Sequence, residues 1–190
     1  MDYSAYVRTL LSVFVVLGIG QLVQPLHRLF RFKGTVRWDW LPLGWAFFAF
    51  VMVVQTWWAY FDILQSPLWL NLFAFLIPMG VFVTLYMLCA SALPDLSKTS
   101  EADVVDLSAF YFDQRRYFFG LWALFLSLAV MVSALVRGSF AVTEDGFRIV
   151  GIALAIALAR SSKRPVHVAL TIAAFAAFVA YITLFSLRIS

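Results

Sequence analysis

Charge is what this sequence has least of. Only 13% of its 190 residues are Asp, Glu, Lys or Arg, about half the share that a soluble domain carries, so a water-facing globular surface is excluded. Cysteine is nearly absent: Cys89 stands alone, which rules out an internal disulfide and any zinc or iron–sulfur site built on several cysteines. Histidine is limited to His27 and His167. Neither shows the close spacing of histidine ligands on one helix, so both read as solvated interfacial residues, and no metal or other cofactor is expected. No basic run is long enough to imply nucleic acid. The net charge of +4 is the kind that flanks membrane spans and meets anionic headgroups.

Apolar sequence is abundant instead, at 64% of residues, in stretches that can each cross about 30 Å of hydrocarbon. The fold class this implies is all-α: one polytopic transmembrane helical bundle over residues 1–190. About six spans are expected, at residues 6–26, 40–61, 68–92, 118–136, 147–159 and 166–187. The first ends in Gln21, Gln24 and Pro25 without a small-residue cleavage site, so it reads as a retained span and not a signal peptide. Gly20, Gln21 and Gln24 share a broad face of it, which should look into protein because amides in hydrocarbon need partners. Pro78 should kink the third span. The fifth has only about 13 residues, or roughly 20 Å of helix, too short to cross unaided; Gly151, Ala155 and Ala159 give it a small-residue ridge for close packing. The first half is aromatic-rich and the second alanine-rich, with no internal repeat.

The polar stretch 94–117 divides the two halves and holds Asp95, Glu101, Asp103, Asp106 and Asp113, five of the ten acids. Ser100 and Asp103 resemble a capping pair, and Val104, Leu107, Phe110 and Tyr111 step at helical intervals. An amphipathic interfacial helix over about 101–116 follows. Orientation comes from lysine and arginine. Ten lie in the first, third and fifth connectors (Arg28, Arg31, Lys33, Arg37; Lys98, Arg115, Arg116; Arg160, Lys163, Arg164) and four elsewhere (Arg8, Arg137, Arg148, Arg188). The positive-inside rule then puts the polar stretch in the cytoplasm and both termini outside.

Candidate sites follow from polar residues in this frame. Gln21, Gln24, Gln55, Asn71 and Thr84, with Ser127, Ser133 and Thr171, can line a pathway or act as packing glue. No span carries an ionisable residue near its midpoint, which disfavours a proton-coupled carrier. Trp57, Trp58 and Asp62 form an outer aromatic and acidic group that could receive a cation, although aromatics there are the usual interfacial belt. Asp103, Asp106, Asp113, Arg115 and Arg116 are the cytoplasmic binding candidates. No nucleophile stands beside a base and no carboxylates pair, so no catalytic residue is assigned and an enzyme is not expected.

The segment RWDWLPLGWAFFAFVMVVQTWW, the LP-x-L step at Leu93 to Leu96 and DLSAFYFDQRRYFFGLWAL resemble a group of uncharacterised small bacterial multi-span membrane proteins, over about residues 21–124. The resemblance implies a bacterial inner (cytoplasmic) membrane location and carries no catalytic residues. Two functions are expected to compete: a small oligomeric channel or transporter for an ion or small solute, and a non-transporting accessory or assembly subunit. In either case the partners are the lipid bilayer and a homo-oligomer or other membrane protein.

Overall fold

The computed structural model describes residues 3–64, 66–97 and 103–186, with the side chains of 3–6, 8, 61, 62, 185 and 186 outside the described set. Six helices dominate: α1 (Tyr3–Arg31), α2 (Trp40–Ile63), α3 (Leu72–Ser91), α4 (Leu107–Arg137), α5 (Val142–Arg160) and α6 (Arg164–Tyr181). Two three-residue strands, β1 (Thr35–Arg37) and β2 (Val104–Asp106), a 3-10 turn (Pro67–Leu70) and a π-helical turn (Ile182–Ser186) complete the elements. Five stretches are long and apolar enough to cross a membrane: Thr9–Arg31, Trp40–Tyr60, Leu72–Ser91, Leu107–Arg137 and Arg164–Leu184. The helix left out, α5, carries Glu144, Asp145 and Arg148 in its first two turns. The chain divides into two compact units, Met1–Gln114 and Arg115–Ser190; α4 starts in the first and continues in the second.

In the first unit, α1 buries Val7, Leu11, Gly18, Leu22 and Leu29. Their four- and seven-residue steps trace one seam along the helix. A Cβ on Gly18 would meet Cys89 Sγ at 3.5 Å and a Val53 methyl at 3.9 Å, so glycine lets α1 lie close to α2 and α3 at once. Close packing of this kind is what holds helices together wherever hydrocarbon removes the hydrophobic drive between them. Within the chain, this seam leaves Gly20, Gln21 and Gln24 off the packed face. Gly20 has open space around it, Gln24 is exposed and Gln21 is half-buried, because the leucine-and-glycine seam takes the inward face. Pro78 lies inside α3 and is buried.

One end of this unit is tied together by its connectors. β1 and β2 pair in parallel, Thr35 with Val104, Val36 with Val105 and Arg37 with Asp106. Asp39 is buried and accepts the Leu41 N–H at 3.1 Å, capping α2, and Arg28 meets Asp95 at 3.0 Å. The strand pair corrects the start of the helix expected over about 101–116, which runs on directly into the fourth span. β-branched Val104 and Val105 extend, and the helix starts at Leu107, where the Asp106 carboxylate accepts the Ala109 N–H at 2.9 Å as a helix cap. Ser100 and Glu101 lie outside the described residues. Residues 107–116 are the first turns of α4, whose 31 residues reach about 46 Å. That exceeds the roughly 30 Å thickness of a bilayer's hydrocarbon.

In the second unit, α4 buries Phe118, Phe119, Leu121, Trp122, Phe125 and Val132, with Trp122 and Phe125 edge to face at 5.8 Å. Ala155 and Leu158 on α5 and Thr171 on α6 are buried as well. The expected fifth span, residues 147–159, lies within α5, which is not among the stretches apolar enough to cross. α5 has 19 residues, about 28 Å, because its first turn is polar and escapes a hydropathy reading. Arg115 near the start of α4 bonds to Ser162 just past α5 at 2.9 Å, and Arg137 at the end of α4 reaches Asp145 in the first turn of α5 at 2.7 Å. The two helices therefore run antiparallel along the whole stretch between these points. At mid-length a Cβ on Gly151 would come within 2.8 Å of a Leu126 methyl, which places the small-residue ridge against α4.

Candidate functional site

The amides of the first unit differ from its other polar side chains. Gln21 and Gln55 are half-buried on α1 and α2, and Gln24 is exposed. Among the described residues none of the three side chains makes a hydrogen bond. Each interrupts a helix that is otherwise apolar over most of its length, and an amide in hydrocarbon without a partner costs several kcal/mol by water-to-cyclohexane transfer, on the order of 4 to 8. An amide placed in hydrocarbon needs water or another chain as its partner.

The remaining pathway candidates are already engaged. Asn71 is the N-cap of α3 and accepts the Phe73 and Ala74 N–H groups at 2.9 and 3.3 Å. Thr84 is buried and donates to the Gly80 carbonyl at 2.7 Å, and Ser127 donates likewise to Ala123 at 2.8 Å. Trp57 is half-buried and Trp58 is exposed; the Asp62 side chain lies outside the described residues. Below that end Trp69 is buried and donates its indole N–H to the Ile63 carbonyl at 2.7 Å, pinning the 3-10 turn to α2.

The candidates of the central polar stretch separate. Asp106 caps α4 and meets Arg37 at 3.5 Å. The Ala109 N–H, with Arg37 behind it, holds its carboxyl below the ordinary aspartate value. Asp95 is held low in the same way, first by the Ser97 N–H and hydroxyl and then by Arg28. Asp103 and Asp113 are exposed. Arg115 is committed to Ser162, while Arg116 is exposed. The reading of both histidines as solvated is corrected for one: His27 is exposed, but His167 is fully buried, its Nε2–H donating to the Ser161 carbonyl at 3.1 Å and its ring 5.9 Å from Phe119. It locks the α5–α6 turn. Among the described residues no three of His, Cys, Asp and Glu gather as a metal site would need.

A charge network went unread in the sequence. Asp145 is completely buried, and its carboxylate accepts from Arg137 Nη2 at 2.7 Å, Arg148 Nη1 at 2.6 Å and the Ala141 N–H at 2.9 Å. Arg137 also pairs with Glu144. Arg148 donates further to Ser133 on α4 at 2.9 Å and to the Tyr181 hydroxyl on α6 at 3.3 Å, so one guanidinium joins all three helices of the unit. Two positive and two negative groups cancel, and every oxygen of Asp145 is satisfied. This makes it a structural clasp and not an ion site. The available signal was Glu144 and Asp145 one turn ahead of Arg148, with Arg137 across the Gly138 turn, whose φ of +67° suits glycine.

No protein-family model, curated protein or solved structure matches the chain, so the resemblance over residues 21–124 adds nothing to this geometry.

Proposed function

We propose that the chain is a six-span protein of a bacterial inner membrane that works as a small oligomeric channel or transporter for an ion or small solute. Its first, third and fifth connectors are cytoplasmic. The single observation behind this reading is the set of three amides, Gln21, Gln24 and Gln55, that lack hydrogen bonds among the described residues. An oligomer that encloses a wet path supplies the partners they need, at α1 and α2. Topology has separate support. The pairing of β1 with β2 holds the first and third connectors at one end, and α5 lying antiparallel to α4 between Arg137 and Arg115 supports counting α5 as a sixth crossing.

A second reading has an observation of its own. Thr84, Ser127 and Asn71 spend their hydrogen bonds inside the chain, which leaves few groups to line a path and favours a non-transporting assembly subunit whose amides bond to a different membrane protein. Purification from native membranes in mild detergent, with the mass and identity of everything retained, separates the two. The proposed function predicts several copies of this chain and nothing else. A complex with other membrane chains favours the subunit, and a monomer alone contradicts both.

A further inference from the structure

The second unit sorts its charges by end. Between Arg115 and Ser190 the only acids are Glu144 and Asp145, and both are spent at the far end on Arg137 and Arg148. The near end holds Arg115 and Arg116 on α4, Arg160 at the end of α5, and Lys163 and Arg164 at the start of α6. Asp113, the closest acid in sequence, makes no ion pair among the described residues.

The turn carrying these cations is fixed. Ser161 N–H bonds to Ala157 at 3.0 Å, His167 holds the Ser161 carbonyl, Lys163 N–H bonds to Ser161 Oγ at 3.2 Å, and Arg115 clamps Ser162. Arg116, Arg160 and Lys163 are exposed and make no ion pair among the described residues. Arg116 on α4, Arg160 at the end of α5 and Lys163 at the start of α6 thus gather at one place, none of them ion-paired among the described residues. Basic pockets between helix ends at the cytoplasmic face are suited to anionic lipid headgroups, which supply the opposite charge at the right depth.

We propose that this end of the second unit, around Arg116, Arg160 and Lys163, is a binding site for the headgroup of an anionic phospholipid. The proposal rests on the membrane placement argued above. A topological role alone needs positive charge in the connector; a lipid site also needs it gathered on a rigid turn, as found here.

The test uses the full chain in a neutral detergent, with thermal unfolding followed after adding phosphatidylglycerol, phosphatidylcholine or inorganic phosphate. Phosphatidylglycerol should raise Tm by about 3 °C or more, with little effect from the other two. The triple variant Arg116→Gln/Arg160→Gln/Lys163→Gln should lose that difference, and the charge-keeping variant Arg116→Lys/Arg160→Lys/Lys163→Arg should retain it. Equal shifts with both lipids, an equal shift with inorganic phosphate, or a preference surviving in the triple variant each overturns the site. Release of the wild-type chain from membranes by alkaline carbonate without detergent would instead overturn the membrane placement.

Discussion

Asp145 and Arg148 form a 2.6 Å ion pair one turn apart on α5, with the carboxylate completely buried. A charge so placed persists only while its partners do. Asp145→Ala removes the buried carboxylate that Arg137 and Arg148 share and is expected to cost about 3 to 5 kcal/mol, read as a fall in Tm in detergent. Glu144→Gln removes a partner whose side chain is 35% exposed and should cost less than about 1 kcal/mol. Equal losses from the two would contradict the clasp.

Glycines on two helices should respond in opposite ways. Gly151→Leu pushes into Leu126, which a Cβ alone would approach to 2.8 Å, and overpacking of this kind costs about 1 to 3 kcal/mol. Gly20→Leu meets open space within the chain, so the stability of the single chain should hold, while the proposed oligomer, if it is built on this surface of α1, should loosen. Size-exclusion mass measurement beside thermal unfolding reads both effects.

Acid should weaken the capped start of α4. The Asp106 carboxyl is held below its ordinary value by the Ala109 N–H and Arg37, so its stabilisation is fully present above the unfolded-state value, near 4. It is lost as pH falls through the lower folded value. Asp106→Asn keeps a capping oxygen but not the charge, and should flatten the loss of helix signal below about pH 4 seen by circular dichroism. An unchanged acid profile would count against the cap.

Topology gives a sharper check. With Cys89 replaced by alanine, single cysteines at Thr35, Ser139 and Lys163 sit at exposed positions in the first, fourth and fifth connectors. A membrane-impermeant maleimide on spheroplasts should label only Ser139→Cys, and all three after lysis. Labelling of Lys163→Cys from outside would mean that α5 does not cross.

Much of this architecture could be read from local sequence, because apolar runs report themselves. α2 was expected over 40–61 and forms over Trp40–Ile63; α6 was expected over 166–187 and forms over Arg164–Tyr181, with a π-helical turn after it. What escaped depends on distant partners. β1 and β2 are three residues each and have meaning only as a pair. The first turn of α5 looks like a loop until Arg137 is seen to neutralise it. His167 looks interfacial until Phe119 and Ser161 enclose it. The amides were visible as candidates from the start, but only the structure separates Gln21, Gln24 and Gln55 from Asn71 and Thr84, whose hydrogen bonds are already made.

The most direct test of the proposed path is the water accessibility of those amides. In the Cys89→Ala background, Gln21→Cys, Gln24→Cys and Gln55→Cys are treated with a membrane-impermeant thiol reagent, beside Val16→Cys and Val54→Cys, whose apolar side chains are exposed on the same helices. Labelling at Gln21 and Gln55 with none at Val16 and Val54 is the predicted result. Failure to label any of the three glutamine positions would contradict a channel or transporter.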